Sequence, residues 1–387
     1  MAAVHTQVAV IGGGVVGCAV AHALARRGVS ATVLEAEPGL ALGASGTNSG
    51  ILHTGFDSTP GELETELILR SAELREELLD ELGVESRRCG ALLAPSGAEE
   101  LAAVERLAAN ARTNGVEAHL QPDGSLRIPG ETVSDPVAFV HALAGAARGG
   151  GATVRLGATV VGLAAGSPGG VAVELADGEQ VHADAAVNCA GLYADEVADM
   201  VGEQPVSVYP RKGEFLVFEL PDDEPLERIL LPVPSSMGKG VLVFPTLDRR
   251  HAIAGPTARE REDKRDWSVE SDAEELILAK ALRMYPPLAR AVRVGSYAGL
   301  RTAGRDGANY VIEGSRTLPG LVHVAAIRST GLSASLGIGE HVVGMLAEQG
   351  AIDPGPVRPL PVPAEPPPSA ARWWERSVEH REALGTP

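Results

Sequence analysis

The first residues whose types and spacing suit them to chemistry lie between Val8 and Glu35. An apolar run ends in Gly12, Gly14 and Gly17, a small-residue helix follows, and a second apolar run ends in Glu35. That order gives G-x-G-x-x-G its strand-turn-helix-strand context, with an acid at the expected separation for a dinucleotide. Gly12 permits the tight turn, Gly14 lets backbone approach a pyrophosphate, and Gly17 lets helix and strand pack closely. Val16 in the turn, Glu35 and the following Ala36 complete the expected contacts, with Glu35 accepting hydrogen bonds from a ribose. The stretch by itself leaves the dinucleotide as NAD or FAD.

His53 is the only one of ten histidines in the loop Gly39–Gly55, which is rich in Gly, Ser, Thr and Asn. Such a loop lines a long ligand with amides and hydroxyls, and Ser45, Asn48, Ser49 and Gly50 are its candidate contacts. A side chain that titrates near neutrality suits His53 to accept a proton; its alternative is to hydrogen-bond a bound ring or pack beside it. Arg211, Lys212 and Lys239 fall in a β-rich stretch, Val206 to Val294, that reads as substrate-binding. Lys212 and Lys239 either meet an anion or are solvated charges.

Several elements must position these groups. After Glu35 an ordinary NAD domain would continue with a helix and a third parallel strand, and this chain has the Gly39–Gly55 loop instead. Thr59-Pro60-Gly61-Glu62 has the form of a capping box before a helix carrying Leu63, Leu67, Leu74, Leu78 and Leu82. Val160 falls in a strand, Val171–Leu175 and Gln180–Ala183 form a hairpin across Asp177-Gly178, and a further strand ends in Ala190 and Gly191. Those last small residues are a second place where backbone can lie against a cofactor. Leu321–Ile327, a turn at Arg328–Gly331 and a helix from Leu332 to Glu348 return to the sheet opened by Val8. Beyond Gly350 the Pro-rich stretch reads as a linker or tail, with a short polar helix around Trp373 and Trp374.

The expected fold class is α/β. A discontinuous Rossmann-like dinucleotide-binding domain takes 1–88, 140–205 and 295–350, an antiparallel β-rich α+β substrate domain takes 89–139 and 206–294, and 351–387 form the tail. A chain of 387 residues with 44% hydrophobic residues can bury a large core divided among two or three domains. The net charge of -18 disfavours nucleic acid as a partner, and an anionic substrate needs a local basic pocket against that field. Cys18, Cys89 and Cys189 have no metal-ligand spacing and read as small buried residues in a reduced compartment. With no signal peptide ahead of the first strand and no apolar run of spanning length, a soluble cytoplasmic protein is expected.

The motifs together resemble the FAD-dependent D-amino-acid-oxidase superfamily of two-domain flavoproteins, within it the branch of anaerobic-type glycerol-3-phosphate dehydrogenase and L-2-hydroxyglutarate dehydrogenase. The resemblance is carried by Gly12–Gly17, Glu35, Asn48–Gly55, Arg211–Glu214, Gly238–Val241, Gly255–Ala258, Ala298–Arg301 and Ser329–Leu332. It implies FAD as cofactor and oxidation of a small anionic secondary alcohol, glycerol 3-phosphate or a 2-hydroxy acid, with hydride passing to flavin N5. His53 is then the implied base. Arg301 is the implied clamp for a carboxylate or phosphate, its alternative being a structural ion pair. A helix beginning at Thr330, Gly331 and Leu332 would stabilise negative charge on the flavin, and Arg328 either adds to that charge stabilisation or is an exposed strand-end residue. The alternatives are an amine or amino-acid oxidase of the same superfamily, and a flavin-binding sensor or assembly protein without turnover. Oxygen, a quinone and a carrier protein all remain open as electron acceptor. The chain departs from the anaerobic enzymes in having no cysteine after Cys189, which implies no iron-sulfur relay, and in carrying Arg328 where a neutral or acidic residue is more usual.

Overall fold

Val8, Ala9 and Val10 are wholly buried, so the first apolar run folds as an interior strand covered on both faces. The computed structural model describes residues 4–167, 169–234, 240–361 and 372–375. Five strands run parallel in the order Thr153–Arg155, Ala31–Leu34, Val4–Ile11, Gln180–Asn188 and Leu321–Ala325. The third strand that does not follow Glu35 is thus supplied from much later in the chain, by Thr153–Arg155. The hairpin Val160–Ala165/Val171–Leu175 extends the N-terminal half of Gln180–Asn188, and Val311–Gly314 closes the edge beside Leu321–Ala325.

Helix Val15–Arg26 packs between Pro136–Gly149 and Gly331–Glu348, and Leu63–Glu81 packs on Gly331–Glu348. The last helix is built from small residues because its neighbours approach to backbone contact: a Cβ at Gly337 would lie 2.4 Å from the Leu67 carbonyl oxygen. The capping box at Thr59–Glu62 does not form. Gly61 adopts φ 82°, which breaks the right-handed run, so the helix starts at Leu63 and the Thr59 carbonyl accepts from the Thr65 hydroxyl instead.

The large second sheet centres on Val208–Glu219. One edge pairs throughout with Val292–Gly304; the other pairs with His251–Gly255 and Arg259–Glu260. Beyond His251–Gly255 it continues through Leu242–Pro245, Ile229–Leu231, Ala91–Leu93, Leu126–Ile128 and His119–Leu120, antiparallel except between Ile229–Leu231 and Ala91–Leu93. The boundary expected at residue 295 falls inside a strand, so all of Val292–Gly304 belongs to this sheet. A third, small sheet holds Ile51–Leu52, Thr132–Ser134 and Ser86–Arg88, with Thr132–Ser134 in the middle.

The Pro-rich stretch is no free linker where it is described. The Gly355 and Arg358 amides donate to the carbonyls of Arg27 and Arg26, groups that the end of helix Val15–Arg26 leaves unpaired. Further on, Trp373 is 0% exposed and Trp374 is buried with it. Cys18 and Cys189 are buried as expected, whereas Cys89 is half-buried. Among the described residues no helix is long and apolar enough to cross a membrane.

Candidate active site

A single cavity of about 1350 Å³ runs from Gly12, Gly14, Glu35 and Ala36, past Ser45, Asn48 and Ser49, to His53, Arg211, Arg301 and Thr330–Leu332. At its first end the glycines act through contact distances. Gly12 has φ 110° and a Cβ there would lie 2.4 Å from the Cys189 carbonyl oxygen; a Cβ at Gly17 would lie 2.0 Å from the Gly12 carbonyl oxygen. The turn therefore sits flat on the neighbouring strand and under its own helix. Gly14 caps helix Val15–Arg26 with no side chain and no acid follows in the first turn, so the positive end of the helix is open to an anion. Ser45 bridges loop and helix by accepting the Val15 N–H at 2.9 Å. Glu35 closes this end, accepting the amides of Gly13 and Glu37, while burial pushes its carboxyl above the usual range.

Val16, Val160, Ala190 and Gly191 also line the cavity, as does Arg328 with an exposed side chain. Two expected contacts do not reach it. Gly17 is buried between helix and turn, and Gly50 packs beneath the Ser134 carbonyl, where a Cβ would lie 2.4 Å away.

At the other end the small sheet does the positioning. Its antiparallel ladder pairs Ile51 with Val133 and Leu52 with Thr132, so the next residues, His53 and Glu131, fall side by side. Nδ1 of His53 lies 2.8 Å from Oε2 of Glu131, within hydrogen-bonding distance, and Glu131 is 0% exposed. Oε1 of Glu131 accepts from the Thr54 amide at 2.8 Å and the Thr54 hydroxyl at 2.9 Å. The backbone of His53 is pinned as well, its N–H by Ser333 Oγ and its carbonyl by Arg75.

The large sheet supplies the cations. Arg211 and Arg301 are directly opposite in register, both line the cavity, and neither forms an ion pair among the described residues. Arg301 donates Nε to the Arg211 carbonyl at 3.0 Å and Nη2 to the Thr257 carbonyl at 3.0 Å, so a structural ion pair is not its role. Burial, reinforced by the neighbouring Arg211, pushes the Arg301 guanidinium down to about 10. Nε of Arg211 is buried without a hydrogen-bond partner. Lys212, expected in the substrate site, is turned away: strand alternation points it to the other face, where it is 0% exposed and its Nζ meets Asp266 at 2.8 Å and Glu270 at 3.2 Å. Lys239 lies outside the described residues.

The helix Gly331–Glu348 opens on the cavity at Thr330–Leu332 with no acidic residue in its first turn. The Thr330 hydroxyl donates to Glu64 at 2.6 Å and meets the Tyr310 hydroxyl at 2.9 Å. Open helix N-termini at two points of one long cavity, with a carboxylate at the far end, fit an extended anionic dinucleotide with a ring system at its other end.

Residues 7–345 match the DAO family, described as FAD dependent oxidoreductase. The chain belongs to this family. It is an FAD-dependent oxidoreductase, with FAD as its cofactor. This DAO-family chain is 29% identical over 356 residues to a glycerol 3-phosphate dehydrogenase of Caloramator mitchellensis, covering 88% of this chain and 73% of that protein. It is 28% identical over 257 residues to the mitochondrial L-2-hydroxyglutarate dehydrogenase of Bos taurus, covering 59% of this chain and 56% of that one. Its fold matches the dithionite-reduced L-alpha-glycerophosphate oxidase of Mycoplasma pneumoniae with FAD bound, at a TM-score of 0.82, 24% identity and coverage of 94% and 97%.

One residue of this DAO-family site escapes a reading of sequence alone. Glu131 stands 78 positions from His53 and joins it only through strand register. Arg211 was recognisable as a cation in the right segment, and the alternation of a strand whose Gly213 faces the cavity selects it over Lys212.

Proposed function

We propose that this enzyme oxidises the secondary alcohol of a small dianion, with glycerol 3-phosphate as the first substrate to test. The observation that supports this most is the pair Arg211 and Arg301, side by side in the cavity that also holds His53 and without carboxylate partners among the described residues. Two half-buried guanidinium groups repel each other, and a phosphate monoester brings close to two negative charges at neutral pH to offset them. The ammonium of an amino acid would add a third positive charge, which favours an alcohol over an amine.

When bound, FAD supplies the acceptor for the two electrons that leave the carbinol carbon as hydride. His53 Nε2, which no group among the described residues engages, takes the hydroxyl proton as the C–O double bond forms. Arg301 and Arg211 hold the head group and so fix which carbon faces the ring. The open N-terminus at Thr330–Leu332 presents amides that stabilise negative charge at that end of the cavity.

The test is anaerobic mixing of the FAD-loaded enzyme with glycerol 3-phosphate, L-2-hydroxyglutarate, glycine and proline, following loss of the oxidised flavin's visible absorbance. Rapid bleaching by glycerol 3-phosphate is the expected result; bleaching by the amino acids alone overturns the reading. The same assay on His53→Gln tests the base, and normal bleaching in that variant removes His53 from the role.

A further inference from the structure

We propose that Glu131 is the positioning residue that makes His53 a proton acceptor, an assignment that rests on the reading of His53 above. A carboxylate only accepts hydrogen bonds, so its contact with Nδ1 places the imidazole proton on Nδ1 and leaves the lone pair on Nε2, toward the cavity. The ties at Ser333 and Arg75 hold the His53 main chain, and so the point from which the ring projects. When Nε2 takes a proton, the charge that appears on the ring lies beside the fully buried Glu131 carboxylate, which Nδ1 meets at 2.8 Å. Arg75, buried on helix Leu63–Glu81, is the cation nearest Glu131, and Glu76 and Arg88 are the next charges around that guanidinium.

A purely structural Glu131, tying two loops together, would make the same contacts. Glu131→Gln separates the two roles. The Thr54 amide can only donate, so the carbonyl oxygen of the new side chain must stay beside Thr54, and its NH2 group then faces His53 Nδ1. That donor forces the ring proton onto Nε2, where the lone pair is needed, while size and loop contacts are kept.

The FAD-loaded Glu131→Gln enzyme is expected to lose about 100-fold or more in kcat with glycerol 3-phosphate. KM is expected to stay within about threefold, since no contact to the head group changes. A kcat within about threefold of the parent, or a rise in KM at constant kcat, overturns the proposal. Nitrogen-15 spectra of the unmutated, histidine-labelled, FAD-loaded enzyme give a second measurement that needs no substrate and no variant fold: His53 should be the Nδ1–H tautomer, and an Nε2–H tautomer overturns the proposal. If His53→Gln loses turnover while Glu131→Gln keeps it, the reading of His53 stands and that of Glu131 falls.

Discussion

At the scale of single residues, the consequence of strand alternation is that neighbouring cations do unrelated work. Arg211 faces the cavity with an unmatched Nε, whereas Lys212 is enclosed by Asp266, Glu270 and Ser268. Arg211→Met and Arg301→Met should each raise KM for glycerol 3-phosphate about 10- to 100-fold, the effect of losing one charged hydrogen-bonding partner, with a smaller change in kcat. Lys212→Met should leave KM unchanged and lower the melting temperature, because it strips two half-exposed carboxylates of their buried partner. Steady-state kinetics and thermal melts on the three variants check this, and a raised KM in Lys212→Met would return that residue to the substrate site. The same residues show what a sequence can reveal. Gly12, Gly14, Gly17 and Glu35 are legible because all four fall at fixed spacing within one strand-turn-helix-strand unit, even though Gly12 also packs on the distant Cys189 carbonyl. Glu131 is illegible because a lone glutamate between Gly130 and Thr132 gains its partner only through a register set by three very short strands.

At the scale of elements, the helices around the parallel sheet are chosen for closeness, and this leaves a titrating group inside. His22 on helix Val15–Arg26 is 4% exposed, and burial, helped by Arg26, pushes its imidazole down to about 4. The unfolded chain has this group at its ordinary value of 6.5, so below that pH the unfolded state binds a proton the folded state refuses. The depressed group therefore contributes full stability above its unfolded value and loses it as pH falls toward its folded one, at about 1.4 kcal/mol per pH unit. Between pH 7 and 5 the loss should come to about 2 kcal/mol. His22→Met, similar in volume and uncharged, should flatten that part of the pH dependence, as read by urea denaturation of the FAD-loaded enzyme at both pH values. Identical pH dependence in the two proteins would show that His22 takes up its proton equally in the folded and unfolded states. The helix itself was legible from its small-residue run, while the start of Leu63–Glu81 was not, because the φ of Gly61 decides it and no propensity reports a backbone angle.

At the scale of the whole molecule, the segment least expected to pack ties the two halves together. Trp373 donates its Nε1–H to the Asn48 carbonyl at 3.2 Å, in the loop that lines the cofactor cavity, and its ring lies against Gly50. Trp374 meets Trp373 edge-on at 5.0 Å and His251 of the large sheet at 5.8 Å. A sequence dominated by proline gives no periodic signal, so only the presence of two large apolar side chains hinted that it returns to a core. Emptying the Trp373 site should cost about 3 to 5 kcal/mol, as for other buried aromatic truncations. Because the cavity it leaves adjoins Asn48–Gly50, part of that cost should fall on the loop that lines the large cavity rather than on the fold alone. Trp373→Ala is therefore expected to lower the melting temperature and also to release flavin on dilution, whereas Trp373→Phe, which keeps most of the packing and loses one hydrogen bond, should retain flavin. Measuring bound flavin after gel filtration alongside the melt separates the two effects. A Trp373→Ala protein that melts earlier with its flavin content intact would make the tryptophan pair a core anchor with no hold on the cofactor loop.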